Sequence, residues 1–314
     1  MTQNSVLFDA PGPRARVISH IVSAVTILAV VAVAAWAFMI LNAPRESGGI
    51  TLPGMFDASR WNIFTDAQVW GSIGTGVWNT LRAAAVAAVG AVALGIAFAL
   101  MRSSTLVWVS KPITVLQEFL RGMPVLLMML FILLVAATSP FWAVVFALVL
   151  YNGTIIGEAL RAGLVSLPRG QREAALSVGM GVFQSKMLVE FPQAFRQMLP
   201  IIVAQLVVLL KDTSLGYIVG YQELIRNNMV YLANYYGNRY LFSLFVVTLL
   251  IYIAINLALS FFARWLSARS ASGSGGRKRG RKPLPAQILA RQGTDTQMLA
   301  AQVDPLDPSQ APRP

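Results

Sequence analysis

"REAALSVGMGVFQSKMLVEFP" (residues 172–192) is a polar stretch set between two of the most apolar runs of the chain, 141–164 before it and 194–215 after it. Arg172, Glu173, Lys186 and Glu190 all fall within it, in a protein of which only 12 % of residues are charged. Each flanking run is long enough to cross a hydrocarbon layer about 30 Å thick, which takes roughly 20 apolar residues in a helix. The stretch is therefore a loop between two membrane spans, and its charges mark one face of the membrane.

The rest of the chain has the same character. It is 56 % hydrophobic, with a mean hydropathy of +0.63, well above an ordinary soluble domain. Spans are expected at Val17–Leu41, Val77–Met101, Pro112–Val135, Phe141–Leu164, Ala194–Leu215 and Tyr240–Leu266. They are helices, because backbone facing lipid must satisfy its own hydrogen bonds. The fold class is an all-α integral membrane protein with about six transmembrane helices. The first run is longer than a signal-peptide core and lacks a cleavage site, so it reads as a retained span. With no Cys, disulfides and thiolate chemistry are excluded, and one His excludes a multi-His zinc site.

Lys and Arg stay preferentially on the cytoplasmic side, and alternate connections separate on this criterion. One side holds Arg14 and Arg16, then Arg102 and Lys111, then Arg161, Arg169, Arg172, Lys186 and Arg196, then the basic C-terminal tail. The other holds Arg45, Arg60, Arg226 and Arg239 beside Glu46, Asp57, Asp66 and Glu223. Both termini and residues 172–192 are expected in the cytoplasm. The net charge of +12 then reports orientation and anionic lipid rather than nucleic acid. Residues 1–16 form a cytoplasmic segment. Residues 42–76 form an external loop, with Trp61 and Trp70 inside it as expected at a membrane interface. Residues 217–239 suit a short external helix. Residues 267–314 read as a disordered tail whose block Arg277–Lys282 rests on headgroups or only sets topology.

Within the loop, Pro168 suits a first helical turn with Ser166 as its cap. Ala174 and Ala175 favour helix, Gly179 and Gly181 permit a bend, and Phe183–Phe191 offer a second amphipathic segment that Pro192 ends. The expected shape is helix, bend, helix. The spacing Glu173-Ala174-Ala175, three residues, Gly179, nine residues, Val189, one residue, Phe191-Pro192 resembles the "EAA" loop of ABC-importer permeases. Val and Phe stand where that family usually has Ile and Leu. "EFLRGMPVLLMMLFI" (118–132), "GLVSLPRGQREAA" (163–175) and "LLKDTSLGYIVGYQEL" (209–224) are similar to segments of the subfamily for polar amino acids. That similarity runs from Val77 to Leu266. "VLFDAPGPR" (6–14) and the extra first span resemble the second permease of actinobacterial glutamate importers.

The resemblance implies an ABC type I importer permease fold, with a five-helix core at 77–266 and one added N-terminal helix. The loop at 166–192 would couple to a cytoplasmic ABC ATPase dimer, which carries ATP and magnesium, and this chain would bind no cofactor. The other implied partners are a second homologous permease subunit and an extracellular amino-acid-binding protein. No Gly-x-x-x-x-Gly-Lys-Ser/Thr loop occurs, so the chain carries no ATPase of its own and is not an enzyme.

Charges within spans cost about 2.5–3.5 kcal/mol each to insert and usually face a cavity or pair with one another. Glu118 and Arg121 sit at i and i+3 in the third span, where they either pair for packing or line a path. Lys211, Asp212, Thr213 and Ser214 offer a cation and an acceptor to a zwitterionic amino acid, or else pack a helix end. Arg82 and Asn152 are further candidates, and the excess of cations suits an anionic amino acid such as glutamate. An autonomous ion-coupled carrier is the rival, but it would show matching repeat halves and buried coupling carboxylates, and no internal repeat is visible.

Overall fold

The computed structural model describes residues 12–47 and 50–274. The N-terminal segment before Gly12 and the basic block Arg277–Lys282, with the tail around it, lie outside the described residues. Helix α1 (Pro13–Asn42) leads to a two-stranded antiparallel hairpin, β1 (Arg45–Ser47) and β2 (Ile50–Leu52), in which Glu46 faces Thr51. Then come α2 (Ala67–Arg102), α3 (Val107–Gly122), α4 (Val125–Val135) and α5 (Pro140–Ser166). The loop follows as α6 (Arg169–Ser177), α7 (Val182–Gln184) and a π-helical turn, Ser185–Glu190, that runs straight into α8 (Phe191–Asp212). Two short helices, α9 (Leu224–Arg226) and α10 (Ala233–Tyr236), precede α11 (Leu241–Ser274). Among the described residues, five helices are long and apolar enough to cross a membrane, or six with the bent α3–α4 pair.

The core is α2 against α5, and small residues make it. Ala83, Ala87, Ala91 and Ala99 of α2 and Ala143 and Ala147 of α5 are fully buried. Glycines of one helix face large side chains of the other. A Cβ on Gly90 would lie 2.6 Å from Val149, and one on Gly153 would lie 3.0 Å from Leu94. Where lipid is as apolar as the protein, helices associate through such close packing rather than through hydrophobic exclusion. Met128 and Met129 of α4 are buried in the same cluster, and Met123 packs on its edge. Asn152 is buried as well, donating to the Leu148 carbonyl and accepting from Gln205 Nε2 of α8 at 2.8 Å.

The structure corrects the expected spans in three places. α2 begins at Ala67, ten residues before Val77, because the Asp66 carboxylate accepts from Gln68 N and caps the helix. The third span is not one helix: α3 and α4 meet at 104° across Met123 and Pro124. Met123 is extended (φ −79°, ψ 130°), as the residue before a proline prefers. α11 continues to Ser274, eight residues beyond Leu266.

α1 stands apart. None of its described side chains is buried, and its contact with the core is at its end, where Phe56 packs between Phe38 (4.8 Å) and Phe242 (5.2 Å). Arg60, placed by its charge in an exposed loop, is buried: it donates to the Pro53 carbonyl and, at 2.8 Å, to that of Arg239.

Candidate functional site

Glu173, Ala174 and Ala175 lie on α6, which projects from one end of the bundle, called here the loop end. Glu173 and Ala174 are exposed and Ala175 is buried beneath them. Gly179 adopts φ +85°, a left-handed turn that an L side chain takes only with strain. Gly179 N donates to Leu176 O and Met180 N to Ala175 O, so the turn closes the end of α6. Gly181 then starts α7, its N–H donating to Gln184 Oε1 at 3.0 Å.

Two details differ from expectation. Ser166 does not cap α6, since its hydroxyl donates to Gly163 O within α5 and accepts from Gln197; Pro168 occupies the cap position. Pro192 does not end the second segment but sits in the first turn of α8, where its missing N–H costs nothing. The π turn before it carries the chain through, with Phe191 N donating to Lys186 O. Val189 and Phe191 are half-buried and Pro192 is exposed.

Around Glu173 the hairpin presents apolar side chains outward: Val178 is 79 % exposed, Phe183 74 % and Leu188 66 %. Ser185 is buried and donates to Glu190 Oε1 at 3.1 Å. Lys186 is half-buried and donates to the Ser103 carbonyl at the end of α2. Burial lowers its ammonium pKa, with Glu190 opposing and Arg172 adding to the fall.

The polar span residues fall in separate places. Glu118 and Arg121 pair at 2.5 Å and are about half exposed. Glu118 also lies 3.9 Å from Arg102, the last residue of α2. The pair therefore sits at the loop end, beside the last residue of α2, rather than deep in a span. Arg102 also pairs with Glu158 of α5, which Arg161 holds at 2.6 Å. Glu158 was not singled out from sequence, although its i, i+3 spacing to Arg161 was a visible signal.

At the far end of α8, Thr213 is buried and bonded to Leu210 O. Lys211 and Ser214 instead line a groove of ≈ 720 Å³ with Phe245, Thr248, Tyr252 and Asn256 of α11. Asp212 is half-buried and stands outside that lining. Arg82 is exposed, its guanidinium 4.6 Å over the Phe141 ring. Glu223, another residue not picked out earlier, is fully buried; it accepts from Ile225 N, Arg226 N and Tyr252 Oη and so fixes the segment between α8 and α11. That segment also binds α2, through Asn227 Nδ2 to Ser72 Oγ (3.0 Å) and Tyr236 Oη to Asp66 Oδ2 (2.5 Å).

A bundle with a Glu-Ala-Ala hairpin turned by a left-handed glycine is the arrangement the resemblance implied, and the family model for binding-protein-dependent transport system inner membrane components matches residues 91–272. The chain belongs to that family. It is 35 % identical over 254 residues to the glutamate transport system permease protein GluD of Corynebacterium glutamicum, spanning 77 % of this chain and 90 % of that one. It is 36 % identical over 165 residues to a probable glutamine ABC transporter permease protein GlnP of Bacillus subtilis, covering 51 % and 76 % of the two chains. Among solved structures, a crystal structure of an amino acid ABC transporter with histidines superposes with a TM-score of 0.59 at 26 % identity, covering 68 % of this chain and 98 % of that one. This family member is therefore a multi-pass membrane permease of the amino acid ABC importer type, and not itself an enzyme. Such permeases work with ATPase and substrate-binding partners.

Proposed function

We propose that the chain is one of two permease subunits of an ATP-driven importer for glutamate, oriented with both termini and the loop end in the cytoplasm. The observation that carries this reading is the hairpin: it exposes the charged Glu173 together with the apolar Val178, Phe183 and Leu188, side chains of the kind a partner protein covers. The occupant is the ATPase, with Gly179, Val189, Phe191 and Pro192 setting the shape of the docking face. The likeness to GluD supports glutamate, and the exposed cations Lys211 and Arg82 suit an anionic amino acid. The second permease is a related, different chain.

At the opposite end, Gln68, Ser72, Gln222, Asn227, Tyr231 and Tyr235 line a hollow of ≈ 460 Å³. Tyr, Asn and Ser offer contact area and adaptable hydrogen bonding at low entropic cost, which suits the extracellular binding protein. Alternating access follows: ATP draws the hairpins together, and the spans open outward to receive substrate.

The test is reconstitution of the chain with its co-permease, ATPase and binding protein in proteoliposomes. Glutamate uptake that requires ATP, and ATPase copurification that falls with Glu173→Lys at normal membrane abundance, are the expected results. Uptake by this chain alone without ATP would overturn the coupling reading, and failure of unlabelled glutamate to compete would overturn the substrate.

A further inference from the structure

α6 is weakly anchored. Ala175 is its buried residue, and its side-chain link to α8 is the exposed Gln193–Gln171 bond at 3.2 Å. The helical path is broken on both sides, at extended Leu167–Pro168 before it and at the left-handed Gly179 after it. A push on such a hairpin would fold it rather than move the bundle.

The π-helical turn, which continues into α8, adds a tie to α2. It presents Lys186 to the Ser103 carbonyl, the C-cap of α2. The last carbonyls of a helix lack intrahelical partners and carry the negative end of its dipole, so an ammonium there is well placed. Ser103 adjoins Arg102, and Arg102 holds Glu158 of α5 and approaches Glu118 of α3. Lys186 thus joins the hairpin to the point where α2, α3 and α5 are already bound together by charge.

We propose that Lys186 is a positioning residue for energy coupling: its bond to Ser103 makes the hairpin and the α2–α5 core move as one body. Displacement that reaches the second arm of the hairpin then turns the bundle instead of pulling the π turn away from the end of α2. This rests on the ATPase-docking reading above, and the experiment separates the two.

Because the chain has no cysteine, spin labels at Val182→Cys and Leu106→Cys, both exposed and both outside the residues assigned to the docking face, report the hairpin against the bundle in the assembled complex. The wild-type background should give a narrow distance distribution and Lys186→Met a broad one. In proteoliposomes K186M should retain ATPase activity while glutamate taken up per ATP falls about fivefold or more, the low end of a coupling free energy. Lys186→Arg, which still reaches a carbonyl, should restore both. If K186M does not assemble, Lys186→Gln, a shorter donor, replaces it with the same expectations. An unchanged distance distribution, or unchanged uptake per ATP, overturns the proposal. If wild-type uptake proves independent of ATP, the docking reading fails, while the spin-label measurement still judges the tie itself.

Discussion

Gly95 of α2 lies so close to Ile156 of α5 that a Cβ on the glycine would sit 2.6 Å from Ile156 Cγ2, with Gly157 N only 3.1 Å away. No methyl fits there without displacing a helix. Gly95→Ala should destabilise the permease by about 1–3 kcal/mol, the usual range for overpacking. Gly74→Ala on the same helix, where nothing lies within 4 Å, should not. Thermal unfolding of the detergent-purified variants compares them, and equal midpoints would remove the close-packing account.

Gly179 makes a different demand, because its surroundings are open but its φ is +85°. Gly179→Val should cost about 1–2 kcal/mol locally through backbone strain and misorient Glu173. ATPase copurification should fall while the thermal midpoint of the membrane core stays within a few degrees.

The bond between Tyr236 and Asp66 has a defined pH window. The Tyr236 hydroxyl and the Gln68 N–H hold the Asp66 carboxyl below its usual range, so that contribution is present above about pH 4 and is lost as pH falls through the lowered value. The Tyr236 hydroxyl is pushed up to about 12 by the same bond. Its share is complete below about pH 10 and is lost as pH rises through the folded value. Asp66→Asn should therefore return one tyrosine from about 12 toward its ordinary range. Phenolate absorbance during alkaline titration reads this directly.

Glu223 accepts three hydrogen bonds with no exposure. Glu223→Ala leaves those donors without an acceptor, at about 1–3 kcal/mol for each buried group. The segment between α8 and α11 should become protease-sensitive, and Glu223→Gln should lose less. Equal protection in both variants would show that the carboxylate does not hold the segment.

Lys211 and Asp212 are tested by uptake. Lys211→Ala should raise the half-saturating glutamate concentration about ten- to a hundredfold, the effect of losing one charge-assisted bond of ~1.5–3 kcal/mol. Asp212→Ala should also weaken uptake. Unchanged uptake in both, at normal membrane abundance, takes the cluster out of the path.

Much of this architecture could be read from residues. Runs of apolar sequence announced the crossing helices, and Glu173 through Gly179 announced a helix and a turn. Other features depend on partners distant in the chain. Glu118 and Arg121 fall inside one apolar run in the sequence, but the 104° break at Met123–Pro124 leaves them at the loop end beside Arg102. Glu158 hid inside an apolar run, and the role of Lys186 could not emerge without knowing that Ser103, far away in sequence, ends beside it. Arg60 and Glu223 looked like surface charges because composition cannot reveal which polar side chains will find backbone partners. The polar candidates for substrate are neighbours in sequence but do not share one cavity: Lys211 and Ser214 line the groove beside α11, and Asp212 does not.

The first helix leans on its neighbours at its tip, through the Phe38–Phe56–Phe242 cluster and the bond from Met55 N to Leu41 O. It contributes nothing to the buried packing of α2 against α5. A segment joined so lightly can be appended or discarded by recombination without disturbing the machine behind it, so lineages of this architecture are free to differ by one crossing at their beginning.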